Sequence, residues 1–455
     1  MVTYKNTIIL SLFLGLMSPA TAQVVGVSYY DCDYYKKSIV QLDSLRKNNN
    51  SINHSLEAGF SKVSITPSLN YPEDNVAEGQ FKNVTLGGYS ARRGESATDV
   101  HDSIFIRAAA IKVADVLKVI IGADLLLIPQ NVTDLVLSML RQDGISRDQL
   151  IFTATHSHSS IAGLSPGGST TSGAYNENMM HWLVAQISLA VRTAVKDLKP
   201  ALIGVGNMDA ASYTRNRVIG ELGTKNDDFS YIILEQIGGK KAVIGSFSAH
   251  ATVLSAKNME ISGDYPGYWE RKMERTFADY AIFCAGGVGS QSHSGGEGED
   301  FERARKIGEA LADIVLKCAL TTPMKDKVVY SAITMKLNLP ELSIQTQDNT
   351  SAGSQRTLPS FEGVVLQALR LNDMVWISAP ADFSGEIALQ IKNYLYPKGF
   401  NANVTSFNGS YVGYIIPSKY YYYDHYESKT MGWFGPNMGD YTADLIRQMS
   451  DIVIL

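Results

Sequence analysis

The sequence predicts a mixed α/β fold, with β-sheets sandwiched by helices in αββα-like layers as a single domain. Three observations lead there. Runs enriched in β-branched residues alternate along the chain with segments of 3.6-residue apolar spacing. A composition that is 45% hydrophobic and 19% charged suits a globular core and excludes a collagen-like repeat or a coiled-coil rod. Length adds the third: 455 residues can bury a large core without covalent staples. The cysteines Cys32, Cys284 and Cys318 are too few and too scattered for a disulfide scaffold or a thiolate zinc site.

Residues 1–22 read as a signal peptide. Lys5 gives a positive start, Ile8–Met17 an apolar run too short to span a bilayer, and Ala20-Thr21-Ala22 a small-x-small cleavage site. An exported protein, periplasmic or secreted, is therefore expected. Residues 23–59 read as a polar lead-in, and 60–455 as one folded domain. Strands are expected at 104–113, 116–124, 149–155, 201–206, 230–237, 241–249, 280–285, 327–338, 362–370, 373–379 and 402–407, where apolar β-formers concentrate. Amphipathic spacing predicts helices at 131–142, 177–197, 265–278, 301–318, 384–395 and 440–452. The Gln-, Ser-, Thr-, Asn- and Gly-rich stretch 339–360 predicts a long loop.

Charge and motifs narrow the function. A formal net charge of −5 offers no basic field for nucleic acid. The Gly-rich run from Gly286 to Gly298 lacks the Lys-Ser/Thr ending of a phosphate loop, so no nucleotide is expected. Gly163-Leu164-Ser165-Pro166-Gly167 matches the pattern of a serine nucleophile elbow. That elbow needs a helix directly after it, and Gly168-Ser169-Thr170-Thr171 starts one poorly. His156-Ser157-His158 follows an apolar strand, where residues i and i+2 share a side and two imidazoles can converge. Spacing alone leaves a metal pair and a hydrogen-bonded pair both open. Further candidates also stand at strand ends: His250 after 242–249, Asp382 after 374–379, and Tyr411 and Tyr414 beyond 402–407. Strand carboxyl ends are where α/β sheets place their sites. The tyrosine-rich stretch Tyr420–Tyr426, with Trp433-Phe434, suits either a rim around a ligand or a packed surface loop.

These residues carry a family resemblance. From about Phe60 onward the chain resembles the catalytic domain of the neutral/alkaline, non-lysosomal ceramidases and their bacterial relatives. The markers are Leu86-Gly87-Gly88-Tyr89, His101-Asp102-Ser103, Gly122-Ala123-Asp124, Ala154-Thr155-His156-Ser157-His158, Thr214-Arg215-Asn216-Arg217, Ala249-His250, Ser262-Gly263-Asp264, Ala379-Pro380-Ala381-Asp382 and Tyr411-Val412-Gly413-Tyr414. The resemblance implies one zinc ion per chain held by His156, His250, Asp382 and Tyr414, with His158 as oxyanion donor or proton shuttle and Arg217 in the same pocket. His101, Asp102 and Asp264 suit either a place behind the ligating imidazoles, orienting them, or plain hydrogen bonding at the strand ends. It also implies a small amphipathic or lipid substrate with an amide bond, reached with or without peripheral contact at a membrane. Whether Ca²⁺ or Mg²⁺ accompanies the zinc is left open.

The chain departs from the family pattern in four places. Ser159-Ser160-Ile161-Ala162-Gly163 stands where the family has Ser-Gly-Pro-Gly. Asp382 replaces a glutamate, with Glu386 four residues on as the alternative ligand. Gly289 stands where the ceramidases have a substrate-touching serine, leaving Ser290 and Gln291 as the substrate-binding expectation. No further β-sandwich domain is expected after the catalytic one. A non-catalytic binding protein on the same fold is the alternative that these changes keep open.

Overall fold

The computed structural model describes residues 28–166, 173–343 and 361–455. The expected signal peptide, the glycine that would close the serine elbow and most of the expected 339–360 loop lie outside the described residues.

Twelve strands form one twisted sheet system: β1 Ile52–Ser64, β2 Phe105–Val113, β3 Val116–Ala123, β4 Leu150–Ala154, β5 Lys199–Asp209, β6 Asp228–Gln236, β7 Lys241–Phe247, β8 Tyr280–Ala285, β9 Lys327–Lys336, β10 Val365–Leu371, β11 Met374–Ser378 and β12 Asn401–Thr405. The long β1 joins two parts. Its residues Ile52–Ser55 pair with β9, which leads on to β10, β11 and β12. From Leu56 onward it pairs with β2 and briefly with β5. The two parts face each other across a core that contains Leu56, Phe60, Ile111, Ile120 and Ile232 from one and Leu369, Met374 and Trp376 from the other.

Helices cover the outer faces. α2 (Gln130–Leu140) and α3 (Glu177–Lys196) pack on β2 and β3. α4 (Asp264–Thr276) and α5 (Asp300–Ala319) pack on β6–β8. α6 (Gly385–Leu395), α7 (Met438–Ile454) and α1 (Asp33–Asn48) cover β9–β12. The layered α/β expectation holds, and every strand and helix read from apolar pattern is present within a few residues.

The polar stretch before residue 60 differs. It contains all of α1 and most of β1. Polar composition hid both, because α1 buries only Ser38 and Leu42 and β1 opens with the exposed Asn53, His54 and Ser55. Apolar periodicity is weak wherever one face alone is covered.

Within the twelve-stranded sheet three strand pairs run parallel: β3 with β4, β7 with β8, and β11 with β12. Their carboxyl ends meet. Ser406, just past β12, donates its backbone N–H to Ala285 at the end of β8, 2.9 Å away. Ala154, Ala285, Val288 and Phe407 pack into one small apolar cluster. Every loop that leaves this cluster carries a candidate site residue.

Candidate metal centre and active site

Two residues past β4 the backbone turns into the left-handed region at His156, with φ of 60°, a conformation that costs energy for a side chain with a Cβ. The turn buries the imidazole, stacks it on Phe407 with centroids 4.3 Å apart, and lets Nδ1 donate to the Leu126 carbonyl at 2.8 Å. His250, three residues past β7, is held in the same way, its Nδ1 donating to the Val288 carbonyl at 2.8 Å. A carbonyl can only accept, so each Nδ1 carries the ring proton and each Nε2 presents a bare lone pair.

Those lone pairs face one another. Nε2 atoms of His156 and His158 are 3.2 Å apart, and a ligand atom from each of His156, His158 and His250 lies within 4.8 Å of the others. Asp382 brings Oδ1 to 3.4 Å from His156 Nε2 and 3.5 Å from His250 Nε2. Its Oδ2 accepts from the Tyr411 hydroxyl at 2.7 Å, while Oδ1 is buried with no hydrogen-bond partner. Tyr414 closes the group, its hydroxyl 3.2 Å from His250 Nε2 and 3.0 Å from Arg217 Nη2.

Burial pushes the basicity of His156 down and that of His158 and His250 well down, so all three imidazoles are neutral near pH 7. Burial pushes the Asp382 carboxyl up from its usual range, against the pull of His156, Tyr411 and Arg217. Two neutral imidazole lone pairs and an orphaned carboxylate oxygen converge with no proton placed between His156, His250 and Asp382. Such an arrangement is repulsive until a cation sits among them. Imidazole and carboxylate donors suit zinc, so the residues fit the metal.

The other expected site residues fall differently. Arg217 reaches the pocket, with its Nε 2.7 Å from Glu427 Oε1. Glu386 does not. It is ion-paired with Lys419, and its backbone N–H donates to the Ser384 hydroxyl that caps α6, which leaves Asp382 as the carboxylate at the cluster.

Ser290 and Gln291 are buried and bonded into the framework. The Ser290 hydroxyl accepts from the Gly385 N–H at 3.0 Å. Gln291 Nε2 donates to Thr214, Asn226 and Ser248, and its Oε1 accepts from the Asn226 N–H at 2.6 Å. Gly289 sits so close to the next loop that a Cβ there would lie 2.4 Å from the Asp382 carbonyl oxygen.

His101, Asp102 and Asp264 do not contact the imidazoles either. His101 stacks on Phe301 and meets Tyr268 at 3.0 Å. Asp102 accepts from the Ser262 hydroxyl at 2.6 Å and from the Gly263 N–H at 2.9 Å. Asp264 accepts from the Leu254 and Tyr265 N–H groups. They brace loops, while the backbone carbonyls of Leu126 and Val288 do the orienting expected of them. No side-chain pattern reveals a carbonyl, which is why the sequence points elsewhere. Tyr411 does stand out in the sequence as a tyrosine just past a strand, and its bond to Asp382 gives it a place in the site. Of the tyrosine-rich stretch, Tyr422, Tyr423 and Tyr426 are exposed, whereas Trp433 and Phe434 are core. Tyr426 reaches back to Tyr414, edge to face at 5.9 Å.

Fold and pocket thus define a mixed α/β protein with a three-histidine cluster at its strand ends that can hold a metal ion. Residues 77–288 match the family model described as neutral/alkaline non-lysosomal ceramidase, N-terminal. Two solved structures share the fold. Neutral ceramidase from Pseudomonas aeruginosa has a TM-score of 0.71 at 19% identity, covering 88% of this chain and 75% of that one. A ceramidase complexed with C2 has a TM-score of 0.70 at 18% identity with the same coverage. No curated protein matches the chain.

Proposed function

We propose that this protein is an exported, zinc-dependent hydrolase that cleaves the amide bond of an N-acylated, ceramide-like lipid with water as nucleophile. The observation that carries the reading is the convergence of the bare Nε2 atoms of His156 and His250 on the unpartnered Oδ1 of Asp382. His156, His250, Asp382 and Tyr414 would hold the ion. Zinc, when bound, supplies Lewis acidity, polarising a carbonyl and bringing the pKa of a water to roughly 7.

The chain's own groups supply the rest. Tyr411 holds the Asp382 carboxylate in one orientation through its hydroxyl. His158, neutral and beside His156, can donate from a ring nitrogen to the oxygen on which charge develops, or return a proton to the leaving amine. Arg217 keeps a positive charge at the same wall and fixes the Tyr414 hydroxyl. The family-model match over residues 77–288 and the likeness to a ceramidase structure complexed with C2 support a lipid amide. The locked Ser290 and Gln291 favour a variant in which other groups read the headgroup, so a different amide or ester substrate is the second reading.

The test is zinc content beside turnover. Purified protein should carry one zinc per chain and hydrolyse N-acyl sphingosine or a simpler N-acyl amine, and His156→Ala should abolish both. A well-folded wild-type protein that takes up no divalent ion and turns over neither probe would support the non-catalytic binder instead. Export rests on residues 1–22 alone, and sequencing a mature N-terminus at Gln23 in the periplasm or medium would support it.

A further inference from the structure

His158 is built into the site differently from its two neighbours. His156 and His250 are fixed by carbonyls on Nδ1, but Nδ1 of His158 makes no well-formed hydrogen bond and lies against Gly88 instead. A single turn walls it in. At Gly88, where φ is 95°, a Cβ would come within 2.3 Å of the His158 ring. The Tyr89 ring lies tilted against the imidazole at 4.9 Å and ties itself to the Leu254 carbonyl at 3.0 Å.

Arg92 ends that turn, and its side chain is buried to 3% exposure. Its guanidinium donates to the carbonyls of Gly87 at 2.8 Å, His158 at 2.5 Å, Asn258 at 3.0 Å and Ser255 at 3.3 Å, and to the Ser159 hydroxyl at 3.4 Å. None of these acceptors is a carboxylate. Buried arginines are ordinarily paired with an acid, so the fork is spent on geometry. It joins three loops, at 87–92, 158–159 and 255–258, and one of its five acceptors is the carbonyl of His158 itself. Lysine cannot reproduce this, since it has a point charge and no planar fork.

We propose that Arg92 is a positioning residue for His158: it fixes the backbone and the wall that aim this imidazole at the cluster, and it does not hold the metal. The proposal rests on the hydrolase reading for its catalytic consequence. Arg92→Lys should keep its zinc and a KM within about twofold, while kcat falls by about 10- to 100-fold, the usual cost of removing a group that orients a site residue. In a His158→Ala background the same substitution should cost less than about twofold, because the residue it acts through is gone.

A readout independent of turnover comes from the zinc-loaded protein labelled with ¹⁵N-histidine. Arg92→Lys should shift the His158 ring signal and leave those of His156 and His250 in place. Arg92→Gln, neutral but still able to donate, should do the same. The proposal is overturned if Arg92→Lys costs as much without His158 as with it, or if all three histidine signals move together. It is equally overturned if both variants fail to fold or lose zinc along with activity. A wild-type protein that binds zinc but hydrolyses nothing would sink the hydrolase reading, and the ring signals would still decide what Arg92 does.

Discussion

Two histidine-bearing regions stand close to the sheet ends and are built on opposite principles. Around His156 and His250, backbone carbonyls take the Nδ1 protons and leave bare Nε2 atoms facing a buried carboxylate oxygen. Around His101, the imidazole stacks on Phe301 and bonds to a tyrosine hydroxyl, half exposed, while Asp102 and Asp264 spend their oxygens on loop N–H and hydroxyl groups. Both regions contain His and Asp in conspicuous motifs. What separates a candidate metal site from a braced loop is therefore the unsatisfied acceptor, not the residue type.

The largest effect that could break this contrast is removal of a converging imidazole. His156→Ala or His250→Ala should take zinc from stoichiometric to undetectable and turnover down by about a thousandfold or more, since an open three-ligand site is the least a catalytic zinc requires. His101→Ala should leave both unchanged. Zinc analysis and progress curves on the three variants measure the difference directly, and equal losses in all three would erase it.

Asp382→Asn is expected next in size. The amide replaces a charged acceptor with a neutral one at the same place, so zinc affinity should fall by about 10- to 100-fold or more. The apo protein should at the same time become more stable, because the repulsion among the Nε2 lone pairs and Oδ1 is relieved. Thermal unfolding with and without zinc reads both signs, and an apo variant less stable than wild type would contradict the lone-pair argument.

Gly289→Ser sharpens the comparison from the backbone side. Its Cβ would lie 2.4 Å from the Asp382 carbonyl oxygen, so the loop carrying the carboxylate has to move. A loss of zinc affinity comparable to that in Asp382→Asn is expected, although residue 289 is no ligand. Titration with a zinc chelator would show it, and unchanged affinity would mean that the two loops yield independently.

Much of this site was legible in the sequence because its candidate ligands stand just past apolar strands. The runs before His156, His250 and Asp382 are 150–154, 242–247 and 374–378, all fully buried, and buried strands read as unbroken apolar stretches. The same physics hid α1 and the start of β1, which bury one narrow face each. Asp382 could be told from Glu386 only in three dimensions, where Lys419 neutralises the latter. Arg92 could not be found at all, because a side chain satisfied by carbonyls leaves no partner residue to notice.

Asp264 offers the smallest effect on zinc and the cleanest sign. It is fully buried at φ of 53°, and burial pushes its carboxyl up to about 7, against its N–H bonds to Leu254 and Tyr265. The folded protein therefore keeps a proton that the unfolded chain releases at the ordinary carboxyl value near 4. Between those two values the native state binds more protons than the unfolded one, so stability falls as pH rises, by at most about 1.4 kcal/mol per pH unit for this one group, and the loss is complete above pH 7. Asparagine tolerates the left-handed backbone and cannot titrate, so Asp264→Asn should flatten the slope between pH 4 and 7 while leaving zinc content unaltered. Urea unfolding across that range gives the slope. A variant that keeps the wild-type slope but loses zinc would return Asp264 to the metal site and undo the distinction between the two regions.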